Sequence, residues 1–178
     1  MEEQRLIAGY KNGDSQTRRQ IYEIYAPIMM GLCVRYVKNV ETAKDLLQDG
    51  FVKVFTNAEK YSGKGELGAW IRQIMVNTAL NYLRRQNLLH WQNLDETLVE
   101  IHENERADIN EITENELMEC ILSLPDIYRT VFNLVCIEGY SYGEIAQQMN
   151  TSESVVRVQY SRARQKLQKM IVELTNKY

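Results

Sequence analysis

An all-α fold of two small helical domains is predicted by three features of the sequence. The 178 residues include only two prolines and nine glycines, which leaves little punctuation for short strands. Apolar residues recur at helical spacing, in a composition where Leu, Ile, Met, Gln, Glu and Lys are common. Charge then divides the chain: residues 86–113 hold one basic residue against seven acidic ones, while residues 1–85 hold thirteen against nine. The net charge of −3 thus conceals an acidic segment between two bodies, and 44% hydrophobic residues suffice for packed cores in both. No apolar run reaches the length of a membrane span, and Met1-Glu2-Glu3 does not open a secretory signal. The expected compartment is the cytoplasm, without direct membrane insertion. Cys33, Cys120 and Cys136 are odd in number, far apart and without CxxC spacing, so they are read as buried structural thiols rather than as disulfides or zinc ligands.

Helices are expected over about 2–11, 15–38, 41–56, 68–90, 114–123, 126–137, 142–149 and 152–173. In the third, Ala43, Leu46, Leu47, Phe51, Val54 and Phe55 form one apolar stripe. The opposite face carries Lys44, Asp45, Gln48, Asp49 and Lys53, which from the pattern alone reads first as a solvated surface. Residues 57–67, with Gly63-Lys64-Gly65, are too glycine-rich for helix. In the fourth helix Ile71, Ile74, Met75, Thr78 and Tyr82 share a side, and the other side gathers Arg72, Gln73, Asn77, Asn81, Arg84 and Arg85 without an acid. That mixture suits phosphates and base edges. Between residues 89 and 113 the periodicity fades while acids accumulate, as in a linker between domains. His90 and His102 lie there without companion ligands and are read as solvent-exposed.

The second domain, residues 114–178, starts with Leu117, Ile121 and Leu124 on one face, followed by Pro125, which stops one helix and suits the start of another. Tyr128, Val131, Phe132 and Val135 continue the apolar stripe to Gly139, a helix-ending residue. Ser141-Tyr142-Gly143-Glu144 matches a capping box. The helix it starts buries Ile145, Ala146 and Met149, and Asn150-Thr151-Ser152 forms a tight turn into a second helix. This last helix is expected to bury Val156, Tyr160, Ala163 and Leu167 and to expose Ser154, Arg157, Val158, Ser161, Arg162 and Lys166. Its residues 155–170 carry five bases and no acid. A capped helix, a tight turn and a basic helix make a helix-turn-helix, the unit that places its second helix in the DNA major groove.

These residues resemble the extracytoplasmic-function sigma factors, the two-domain branch of the sigma-70-type family, over nearly the whole chain. Ala43-Lys44-Asp45-Leu46-Leu47-Gln48-Asp49-Gly50-Phe51-Val52-Lys53-Val54-Phe55 is similar to the family's polymerase-binding helix. The stretch from Ala69-Trp70-Ile71 through Asn77 to Leu83-Arg84-Arg85 is similar to its promoter-melting helix. Leu124-Pro125, Tyr140 to Ala146 and Val155 to Leu167 resemble its −35-reading segment. The resemblance implies a first domain over residues 1–88 that binds core RNA polymerase and melts the −10 element, and a second that reads the −35 element of promoter DNA.

Carried over by position, the resemblance gives Asp45, Leu46, Gln48 and Asp49 the polymerase contact, turning that polar face into an interface. Ser62, Gly63, Lys64, Gly65 and Glu66, with Arg72, Gln73, Asn77 and Asn81, would grip the non-template strand and capture an extruded base. Arg84 and Arg85 would hold phosphate, and Ser154, Arg157, Val158, Ser161 and Arg162 would face the −35 groove. The linker would lie in the nascent-RNA path, and an anti-sigma factor is an implied partner of a free monomer. Val76, Leu67 and Gln159 depart from the family pattern, in which the first and last positions are often basic and the second aromatic. Trp70 and Trp91 could stack on bases, although core packing is preferred for Trp70. No catalytic set, metal site, cofactor motif or Walker-type loop occurs, so an enzyme is not expected. The competing reading is a stand-alone helix-turn-helix transcriptional regulator, which would dimerise on a palindromic operator.

Overall fold

The computed structural model describes residues 2–86, Leu89 and 112–176. The expected linker over 89–113, with His90, Trp91 and His102, lies outside the described residues apart from Leu89, Ile112 and Thr113. Among the described residues all regular structure is helical, and the chain divides into two compact units after Gln86.

The first unit comprises α1 (Glu2–Lys11), α2 (Ser15–Val37), α3 (Val40–Thr56), a 3₁₀ turn (Ala58–Lys60) and α4 (Leu67–Arg85). Helix starts are set by side chains that accept from otherwise orphaned backbone N–H groups. Asp14 accepts from the Thr17 amide at 2.8 Å, and Asn39 from the Thr42 amide at 2.9 Å. The second of these caps follows α2 almost immediately, so α2 and α3 fold as a hairpin and α4 packs on both. The α3–α4 approach is close. A β-carbon added to Gly50 would lie 2.1 Å from the Met75 sulfur. The predicted stripe of α3 is buried at Ala43, Leu46, Leu47, Phe51 and Val54, with Phe55 half-buried. In α4 burial extends beyond the expected side to Val76, Ala79, Leu80 and Leu83, because the helix is covered by two neighbours rather than one.

An aromatic knot docks α1. Tyr10 is fully buried and donates its hydroxyl to the Val54 carbonyl. Its ring meets those of Phe55, Tyr61 and Trp70 with centroids 6.0–6.5 Å apart. Desolvation raises the Tyr10 pKa, which keeps the hydroxyl neutral and available as a donor.

The second unit comprises α5 (Glu114–Ser123), α6 (Asp126–Phe132), a π turn (Asn133–Ile137), α7 (Tyr142–Met149) and α8 (Glu153–Thr175). The single helix expected over 126–137 therefore widens after Phe132, and the Glu138 amide bonds back to the Asn133 carbonyl at 2.9 Å. Cys120, Ile121, Leu124, Ala163 and Leu167 form the core that joins α5 to α8. At its edge Arg129 is fully buried, donates to the Leu124 carbonyl at 2.7 Å and pairs with Asp126. A guanidinium here satisfies the carbonyl at the α5–α6 corner, where Pro125 interrupts helical hydrogen bonding.

The cysteine reading needs one correction. Cys33 and Cys120 are buried, and burial pushes the Cys33 thiol up to about 11. Cys136 is exposed, since helical rotation carries it outward from its apolar neighbours, and its sulfur lies 3.0 Å from the Tyr160 hydroxyl.

Replacing Arg129 by Ala should destabilise the second unit by about 2–3 kcal/mol, through an orphaned carbonyl and a lost side chain. Hydrogen exchange should quicken for amides of residues 114–176 and stay unchanged for those of 2–86; equal quickening in both would contradict a local role.

Candidate nucleic-acid and polymerase interfaces

The packing of α3 against α4 leaves a cleft of about 330 Å³ on one side of the first unit. Gln73, Asn77 and Asn81, on successive turns of the polar side expected for α4, line it. Three residues the sequence reading did not assign to it join them: Lys53 from α3, Asn57 at its C-terminus and Lys60 from the 3₁₀ turn. Lys53 donates to the Thr78 hydroxyl at 3.0 Å, and that hydroxyl donates to the Ile74 carbonyl at 2.8 Å. Asn57 donates its side-chain amide to the Lys53 carbonyl at 2.8 Å. Periodicity within each helix separately could not reveal this, because the cleft is made by two helices crossing.

Trp70 forms a wall of the cleft and packs at 5.4 Å on Tyr61, so it serves as both core and lining. Tyr61 in turn anchors the loop: it is buried, and its hydroxyl donates to the Gly65 carbonyl at 2.8 Å. Gly63 and Gly65 adopt φ of 78° and 82°, the left-handed region in which a side chain is strained. The Lys64 amide donates to Ser62 Oγ at 3.2 Å. Ser62 through Glu66 are all exposed around this fixed base. Gln73, Asn81, Arg84 and Arg85 are exposed, and Arg72 and Asn77 half-buried. Chemically the cleft offers amides that donate and accept, an aromatic wall and two lysines. Such a set can accept a planar base and its phosphates.

On the outer face of α3, Asp45, Gln48 and Asp49 are exposed, and Val52 continues the same face at 60% exposure. Leu46 departs from the expected polymerase-contact set. It is 4% exposed and belongs to the domain's own core, since its place on the apolar stripe directs it inward.

In the second unit both predicted turn devices are formed. Ser141 Oγ accepts from the Glu144 amide at 3.3 Å while the Glu144 carboxylate accepts from the Ser141 amide at 2.8 Å. Thr113 and Glu116 repeat the arrangement at the start of α5. Asn150 takes the left-handed conformation (φ 52°, ψ 52°), and Ser152 accepts from the Val155 amide at 3.3 Å to start α8. Ile145, Ala146 and Met149 of α7 and Val156, Ala163 and Leu167 of α8 are buried, which completes a helix-turn-helix.

On α8, Ser154, Arg157, Arg164, Lys166 and Lys169 are exposed, and Ser161 and Arg162 half-buried. Val158 corrects the expected groove face: it is 6% exposed, as suits a valine with no polar atom to hold in water. Tyr160, expected to be buried, is half-buried, and desolvation together with the Cys136 contact pushes its hydroxyl up to about 12. The three departures from the family pattern, Leu67, Val76 and Gln159, are all buried. They alter packing rather than an exposed surface.

With this geometry in hand, comparisons with known proteins give concordant results. A family model for sigma-70 region 2 matches residues 21–88, and one for sigma-70 region 4 matches residues 114–167. The RNA polymerase sigma-H factor of Pseudomonas aeruginosa is 27% identical over 97% of this chain and 95% of its own length. The ECF RNA polymerase sigma-E factor of Haemophilus influenzae is 29% identical over 97% of this chain and 96% of its own. Among solved structures, the Bartonella quintana sigma factor RpoE, in complex with the anti-sigma factor NepR, superposes with a TM-score of 0.53 at 20% identity. That superposition covers 85% of this chain and 94% of the other.

The Ser141 bonds hold the Glu144 pKa below its ordinary value. This contribution to stability is therefore complete above the unfolded glutamate pKa and is lost as pH falls through the lowered folded value. Thermal melts across the acid range should show Ser141→Ala less stable near neutrality and converging on the parent at low pH. Parallel curves would remove the capping box from the pH dependence.

Proposed function

The chain belongs to the sigma-70 family, and from that premise we propose how its two units divide the work of an extracytoplasmic-function sigma factor. It is a non-enzymatic specificity subunit that directs core RNA polymerase to promoters and starts DNA-templated transcription. The observation that carries this is the order of the two matched regions along one chain, each with its own exposed polar face.

Within that function, the first unit binds core polymerase through Asp45, Gln48 and Asp49, flanked by Val52. It handles the −10 element with the loop Ser62–Glu66 and the α3–α4 cleft, where Gln73, Asn77 and Asn81 address base edges while Lys53, Lys60, Arg84 and Arg85 address phosphates. The α7–α8 helix-turn-helix reads the −35 element with Ser154, Arg157, Ser161 and Arg162. Arg164, Lys166 and Lys169 suit backbone phosphates. The linker's acidity suits a place near the enzyme's RNA path, where negative charge imitates nucleic acid.

Among the described residues no helix is long and apolar enough to cross a membrane. The proposed function places the chain in the cytoplasm, as a monomer when free. The structural relative solved with its anti-sigma factor supports the same kind of regulation here.

Run-off transcription with purified core polymerase on genomic fragments tests the function directly: defined start sites are expected only when the chain is added. A stable dimer that protects a palindrome without polymerase would favour the stand-alone regulator instead. Replacing Arg157 and Arg162 together by Ala should lower −35-dependent initiation about ten- to hundred-fold while core binding persists, since a good arginine–guanine pair contributes roughly 1–3 kcal/mol. Joint loss of both activities would mean that the unit had unfolded. Asp49→Arg should weaken binding to core polymerase about ten-fold, measured by titration of labelled chain. An unchanged affinity would take Asp49 out of the contact.

A further inference from the structure

Arg157 does not project freely from α8. Its guanidinium carbon lies 4.6 Å from the centroid of the Tyr142 ring, the closest of the cation–ring contacts among the described residues. On α8 itself it pairs with Glu153 one turn earlier, at 3.8 Å. The Glu153 carboxylate is seated against the first turn of α7, where a β-carbon on Gly143 would stand 2.9 Å from its oxygen. Residue 143 as glycine leaves the room that this carboxylate occupies. The Tyr142 ring is backed by Tyr160 at 5.9 Å, whose ring stacks on Phe132 at 6.5 Å and whose hydroxyl meets Cys136 at 3.0 Å. The platform under Arg157 is thus continuous with the interior of the unit.

We propose that Tyr142 is a positioning residue for promoter recognition: its ring, with the Glu153 carboxylate, aims the Arg157 guanidinium toward the DNA bases. The inference rests on the assignment of Arg157 to the −35 element. A free arginine gives up rotamer entropy when it engages a base edge. One already held over an aromatic ring, with a carboxylate 3.8 Å from one of its nitrogens, gives up less. The benefit falls on the base pair that Arg157 reads and nowhere else, because bidentate hydrogen bonding to guanine is intolerant of a misplaced plane. Tyr142 occupies the first position of α7, directly after the capping serine, so the same turn that starts the helix also sets the aim of the arginine on the next one.

The test uses the holoenzyme reconstituted with core polymerase on a promoter library randomised over the −35 element, with transcripts sequenced. Variants are Tyr142→Phe, Tyr142→Leu, Tyr142→Met, Arg157→Ala and Arg157→Ala combined with each aliphatic change. Tyr142→Phe should keep the parent's base preference. The aliphatic variant that retains the parent's melting temperature should narrow the preference roughly two- to five-fold, as expected for loss of an exposed cation–π contact. That narrowing should fall at the position where Arg157→Ala loses its preference, with no further loss in the Arg157→Ala background. A uniform drop across all −35 sequences, or the same fold-loss with and without Arg157, would overturn the proposal by making Tyr142 a packing residue only. An Arg157→Ala protein with unaltered −35 preference would instead overturn the assignment on which it rests.

Discussion

An all-helical chain of this size stands or falls on how its helix ends are satisfied. Each end leaves backbone N–H or C=O groups without an intrahelical partner, and short helices have proportionally more of them. Asp14, Asn39, Thr113, Ser141 and Ser152 each accept from an amide in the first turn of the helix that follows. Arg129 performs the complementary service for the Leu124 carbonyl at the α5–α6 corner. Because these groups fix where each helix begins, they also fix which residues rotate outward. A shift of one residue in the start of α8 would turn its basic face by about 100°. The exposed polar faces are therefore consequences of capping as much as of the apolar stripes they oppose.

The same logic explains what was legible in the sequence. Ser141 and Asn150 are short polar residues whose local bonding needs no tertiary partner, so the start of α7 and the turn into α8 could be placed within a residue or so. The α3 stripe was readable because a helix packed along one side shows a single period. Less could be read wherever two neighbours cover one element. Val76, Ala79, Leu80 and Leu83 sit outside the simple apolar side of α4, yet all are buried. Leu46 and Val158 were drawn into sets of contact residues by their position in a motif, although an aliphatic side chain there gains more from burial than from facing a polar partner. The α3–α4 cleft is the clearest case. By pattern Lys53 belongs to a solvated face, and only the crossing of the helices brings it to Thr78 and into the lining that Asn77 shares.

In the proposed division of labour, specificity is concentrated in few side chains. Leu67, Val76 and Gln159 differ from the usual family residues but are buried, so they change how the helices pack and leave the exposed surface to others. What remains outside on α4 and α8 is a short set of polar and charged side chains, each on a helix held by buried neighbours. Rigid helices carrying sparse polar groups hold their geometry better than loops would. The one loop involved is itself pinned, through Tyr61 to Gly65 and to Trp70.

Electrostatics then accounts for why such a reader works as a removable subunit. The basic residues 155–170 lie in a unit whose exposed surface also carries Glu114, Glu119, Glu144, Glu153 and Glu173. Counterion release from phosphates supplies most nonspecific DNA affinity, and it scales with the number of phosphates neutralised. Four exposed cations on α8 share the unit's surface with these carboxylates, which limits the counterion release that it can contribute. Attachment to polymerase changes the accounting. Once one unit is docked, the second meets its element at the high effective concentration of a tethered module, and two modest contacts act as one strong one. On the proposed reading, weak intrinsic affinity is an advantage: a free subunit that binds DNA weakly is not sequestered on nonpromoter sequence, and discrimination is left to the few groups proposed to read bases.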